Sequence, residues 1–131
     1  MWTLGAFMLR AAISVILLAL AFPTAGQAYS GLELLRGCTA ILAPERPTDT
    51  DAVVGMFRCS GYLAGIVDAN AIVSGMRGKP AALFCLPDTG LENEQVIRIV
   101  VKYLNDHPEH LHEQARMGAI IALRLAFPCP P

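Results

Sequence analysis

The sequence predicts an all-α domain: a compact bundle of about four to five helices, stapled by two disulfides and preceded by a cleaved export leader. Three observations carry this. Apolar residues recur at helical spacing between capping and breaking residues, no two runs alternate as paired strands would, and all four cysteines follow the leader.

The leader comes first. Arg10 precedes an uncharged apolar run, Ala11 to Phe22, then Pro23 and small residues ending Gly26-Gln27-Ala28. A basic start, an apolar centre and a small-x-small site predict a signal peptide over residues 1–28, cut after Ala28, and a domain over 29–131. Twelve apolar residues are too few for a membrane span, which needs about 18. Met8 is an alternative start, since Met8-Leu9-Arg10 gives the leader a conventional length. The leader inflates the 54% hydrophobic content, so that figure says nothing of membrane affinity in the remainder.

Helix one opens on Ser30-Gly31-Leu32-Glu33, a capping box, and places Leu32, Leu35, Cys38, Ile41 and Leu42 on one face. Pro44 and Pro47 stop it. Thr48-Asp49-Thr50-Asp51 starts helix two. Its broad apolar face (Val53, Met56, Phe57, Cys59, Leu63, Ile66, Val67, Ala71) predicts a central, mostly buried helix reaching Ser74. Gly75, Gly78 and Pro80 end it and begin a loop to Pro87. Asp88 or Thr89 caps helix three, the latter through Thr89-x-x-Glu92, with Val96, Ile97, Val100, Tyr103 and Leu104 inward. The β-branched run Val96–Val101 is not read as a strand, because it has a cap, helical length and no partner strand. Asp106 or His107 caps helix four, Pro108 suits its first position, and Leu111, Ala115, Gly118, Ala119, Ala122 and Phe127 face the core.

Cys38, Cys59, Cys85 and Cys129 contain no Cys-x-x-Cys, and an even count in a short exported domain reads as a disulfide framework. Three connectivities are open. Antiparallel neighbours favour Cys38–Cys59 across the first hairpin and Cys85–Cys129 across the second. Bridges closing such loops add about 3 to 4 kcal/mol each.

Without Arg10, nine basic residues face eleven acidic ones. That balance gives no electrostatic case for nucleic acid or an anionic membrane. His110 and His112 point to different sides of a helix, so no metal or cofactor is expected. Oxidised cysteines leave no thiol nucleophile, and none of Ser30, Ser60 and Ser74 lies in a G-x-S-x-G elbow. The chain is not read as an enzyme.

The most specific segment is Cys59-Ser60-Gly61-Tyr62-Leu63-Ala64-Gly65-Ile66-Val67-Asp68. Gly61 and Gly65, one turn apart, form a smooth patch where another helix backbone can approach. Tyr62 offers a ring to bury. Asp68, in an apolar helix, is expected to bond Tyr103, an arginine or a free amide rather than to catalyse. With Phe84-Cys85-Leu86-Pro87, the run Lys102 to His112, and Ala122 to Cys129, this segment resembles the Rap/Tai family of type VI secretion immunity proteins, over roughly Leu32 to Cys129. The resemblance implies a periplasmic helical protein, often a homodimer, that neutralises a secreted peptidoglycan amidase-like toxin by inserting a loop into its active-site cleft. The candidate loop is Met76-Arg77-Gly78-Lys79-Pro80, which is basic and tethered by Cys85. The rival reading is a small periplasmic chaperone or stress protein with no dedicated toxin, against which the 16% charged content counts.

Overall fold

A computed structural model describes residues 28–78 and 81–130; the signal-peptide reading of residues 1–27 lies outside them. Among the described residues the fold is all-α, with α1 (Gly31–Leu42), α2 (Thr50–Arg77), α3 (Asn93–Asp106), a 3-10 turn (Pro108–His110) and α4 (Ala115–Ala126). Both favoured disulfides are present, Cys38–Cys59 and Cys85–Cys129. The first is sealed in the core with neither residue exposed, whereas the second is only half-buried.

The capping box of α1 forms as expected. Glu33 N donates to Ser30 Oγ at 3.3 Å, and Ser30 N donates to Glu33 Oε2 at 2.9 Å. The bond from Ser30 N, with a second that Ser30 Oγ donates to the same Oε2 at 2.8 Å, holds the Glu33 carboxyl below its ordinary range. The inward face differs from expectation. Gly31, Leu34, Gly37 and Cys38 are buried, while Leu32 is exposed. The cause is a backbone contact: a Cβ on Gly37 would sit 2.3 Å from the Gly55 carbonyl oxygen of α2. Only glycine at 37 lets the two helices lie so close, and this contact rotates α1 until Leu34 faces the core.

α2 is not the central buried helix. Of its 28 residues only Cys59, Leu63 and Asn70 are buried, and it runs on through Arg77 to cap at Gly78, whose φ is 84°. Its length and composition would suffice for a membrane span, yet only 11% of its most apolar window is buried in the bundle. The disulfide, Leu63 and Asn70 fasten one face of it to the rest.

The remaining starts are corrected too. Residues 87–90 make a turn closed by Gly90 N donating to Pro87 O at 2.9 Å, with Gly90 at φ 73°. A residue in that left-handed region cannot continue into a helical first turn. So α3 begins at Asn93, behind Glu92, which makes no side-chain cap bond. Pro108 does open a turn, but that turn does not run on into α4. Leu111 O and Glu113 O instead accept from Leu32 N and Gly31 N, at 2.9 Å each, satisfying orphan donors of α1. Ala115 N returns a 2.7 Å bond to Tyr29 O, and Ser30 and Gln114 form an isolated bridge.

The core joins Leu34, Leu63, Val96, Ile97, Val100, Leu104, Ala119 and Leu123 with Phe84 from the α2–α3 connection. Gly118 makes room for Leu104, whose Cδ2 would lie 2.7 Å from a Cβ there.

Gly37→Ala is expected to lower stability although Ala is the better helix former by about 1 kcal/mol, because overpacking costs about 1–3 kcal/mol and here meets backbone. Thermal unfolding with disulfides intact would register it, and Gly61→Ala, whose added Cβ meets nothing within 4 Å, is the control. Because the Glu33 carboxyl is lowered in the folded chain, the cap contributes fully above the ordinary carboxylate range and fades as pH falls through its folded value. Hydrogen-exchange protection of the Ser30 amide, which donates to that carboxylate, should therefore drop at acid pH, and a Glu33→Gln chain should lose that dependence.

Candidate functional site

Two surfaces emerge from α2. At its C-terminal end, Met76 and Arg77 belong to the last helical turn rather than to a loop, and Met76 is 80% exposed. Gly78 follows as the cap, while Lys79 and Pro80 lie outside the described residues. At about 1.5 Å per residue α2 is about 42 Å long, twice the length of α3. Gly75, Met76, Arg77 and Gly78 are all exposed, so this end stands clear of the core.

Asn70 pins the chain that returns from this end. Its Nδ2 donates to Phe84 O at 2.9 Å, and its Oδ1 accepts from Leu83 N at 2.7 Å and Phe84 N at 3.4 Å. Cys85 N then donates to Phe127 O at 3.0 Å, beside the Cys85–Cys129 disulfide. Among the described residues Asn70 is the buried polar one, and the sequence does not single it out. An amide amid the apolar run 66–73 was the available signal.

The second surface is the outer face of α2. Gly61 and Gly65 stand exposed, and an added Cβ at either meets nothing within 4 Å, so neither packs on a helix of its own bundle. Asp68 is exposed rather than buried, and it makes none of the side-chain ion pairs among the described residues. Its expected bond to Tyr103, an arginine or an amide is absent there, because water already solvates the carboxylate.

Tyr62 is half-buried with its ring edge-on to Tyr29 at 5.1 Å, and the Arg58 guanidinium lies 4.3 Å above the Tyr29 ring. Burial raises both phenols, opposed at Tyr29 by Arg58 and at Tyr62 by Arg116. Beside them a cleft of about 470 Å³ between α1 and α2 is lined by Glu33, Arg36, Asp51 and Arg58, whose charges balance.

The histidines act locally. His107 Nδ1 lies 2.9 Å from Tyr103 O and its ring stacks on Tyr103 at 4.2 Å. The carbonyl only accepts, so His107 closes the end of α3 instead of capping helix four by its side chain. His110 Nδ1 pairs with Glu113 Oε1 at 2.9 Å. Among the described residues no three His, Cys, Asp or Glu side chains lie together as a metal site.

The described residues thus form a disulfide-clamped helical bundle whose longest helix is largely exposed. Residues 30–129 match the Rap1a immunity proteins, and the chain belongs to that family. No curated protein matches it. Membership implies an immunity protein of type VI secretion that binds a secreted effector, and two disulfides are consistent with export.

Asn70→Ala would leave buried backbone groups of Leu83 and Phe84 unpaired, a loss of about 1–3 kcal/mol. Limited proteolysis should cut between α2 and Phe84 several-fold faster in that variant, with thermal unfolding reporting the same direction.

Proposed function

We propose that the chain is a periplasmic immunity protein that binds a type VI secreted, peptidoglycan amidase-like toxin and occludes its active-site cleft. A leader cut after Ala28 delivers it to the compartment where such a toxin acts. The inhibitor does no chemistry; it excludes substrate by shape.

The observation that carries the reading is the tethered, exposed end of α2 on a chain of the immunity family. A concave cleft is complemented by a convex element, and Met76 supplies an exposed apolar side chain flanked by Arg77. Asn70 and the Cys85–Cys129 bridge hold the return segment before any partner arrives. Less ordering entropy is then lost on docking, and a few side chains can supply most of the binding energy.

The chaperone reading draws on the exposed apolar residues of α2. It predicts suppression of unrelated aggregation at low pH, without protection against any one toxin.

The test is coexpression with an exported candidate amidase, together with measured affinity. Arg77→Glu with Lys79→Glu should weaken binding at least tenfold, about 1.4 kcal/mol, and abolish protection while the thermal midpoint stays unchanged. Wild-type affinity in that double variant would remove this end of α2 as the inhibitory element.

A further inference from the structure

The cleft between α1 and α2 plays no part in the packing of the core or in the proposed effector contact. Its volume is about 470 Å³, within the range of sites that hold small ligands. Gly37, Ala40, Ala52 and Gly55 give it a smooth floor. With no side chain at either glycine, and only methyl groups beside them, a slender molecule has room to lie along the helix pair.

Charge is distributed unevenly along this groove. Arg58 reaches back to Tyr29, ahead of α1, whereas Gly55 meets Gly37, so the two helices run antiparallel. Arg58 therefore marks one end of the cleft. Asp51 lies seven residues earlier, about 10 Å along α2, and marks the other. Arg36 stands on α1 beside Gly37, and both guanidinia lie close enough to the Glu33 carboxyl to help lower it. Glu33 is already committed, because the Ser30 amide and hydroxyl both donate to its Oε2. Among the described residues Arg36, Arg58 and Asp51 enter no side-chain ion pair. Arg58 is steadied by the Tyr29 ring 4.3 Å beneath it, a contact that fixes the guanidinium plane and leaves its N–H donors free.

This layout selects a ligand class. The lining carries two charges of each sign, so a phosphate or other multiply charged anion gains little net attraction. The better match is a molecule of no net charge that carries a carboxylate at one end and an ammonium about 10 Å away. An extended tripeptide has both charges, and at about 3.3 Å per residue it has that length.

We propose that the α1–α2 cleft is a binding site for short zwitterionic peptides, whose C-terminal carboxylate accepts from Arg36 and Arg58 and whose N-terminal ammonium donates to Asp51. Its floor of glycine and alanine suits peptides of small residues. Arg77 lies nineteen residues beyond Arg58, about 28 Å along α2, so this site is separate from the exposed helix end and independent of any effector bound there.

The probe is trialanine, added to the exported protein with both disulfides intact and followed by calorimetry and amide NMR. It should bind at one site and shift the Gly37, Ala40 and Gly55 amides. Blocking the carboxylate, as in trialanine amide, or the amine, as in N-acetyl-trialanine, should weaken binding at least tenfold with the protein unaltered. Arg36→Gln combined with Arg58→Gln should weaken trialanine at least tenfold, yet leave trialanine amide unaffected, since that ligand has no carboxylate to lose. Asp51→Asn should weaken trialanine and spare N-acetyl-trialanine. An absence of saturable trialanine binding, equal binding of the blocked peptides, or tighter binding of inorganic phosphate than of trialanine would each overturn the proposal.

Discussion

The fold depends on the closeness of α1 and α2. Gly37 lets the first helix rest its backbone against Gly55 of the second, and the Cys38–Cys59 bridge, one residue on, fixes that approach at a Cα separation of 5.3 Å. A side chain at 37 would push the helices apart, which would strain the sulfur bridge and tilt Leu34 out of the core. A small domain has little apolar surface to spend, and here a covalent bond and a missing methyl group set the geometry on which the other packing is built.

Around that pair, polar groups do work that the core cannot. The backbone of 111–113 supplies acceptors to the first turn of α1, which ties the two ends of the chain together and forces a break before α4. Asn70 performs a comparable task for the α2–α3 connection, so that Phe84 can be buried from a non-helical segment without leaving backbone amides unpaired. α2 thereby stays largely exposed, while the rest of the molecule serves to hold it.

Much of this is legible in the sequence, for identifiable reasons. The Ser30 box, the helical class and the sulfur pairing rest on local or topological rules, and each appears in the fold. The start of α3 was not legible, because Thr89-x-x-Glu92 satisfies a capping pattern while Gly90 adopts a conformation that defeats it. The start of α4 depends on hydrogen bonds to a segment some 80 residues earlier, which no local pattern announces. For α2 the apolar excess was real, but burial was the wrong inference from it: a helix apolar all round can face its own core on one side and another molecule on the other. Gly61 and Gly65 were visible as a close-approach patch, whereas Gly37 and Gly55, which make the close approach within the chain, carry no distinguishing neighbours in sequence.

The unequal shelter of the two sulfur bridges gives the domain an order of unfastening. Thiol exchange needs access to a sulfur atom, and the half-buried Cys85–Cys129 bond offers it where the sealed Cys38–Cys59 bond does not. A mild reductant would therefore free the carboxyl-terminal tail and slacken the segment behind the exposed helix end, while α1 and α2 stayed riveted together. The exposed end of α2 is thus backed by the segment whose stiffness answers first to the redox state of its surroundings.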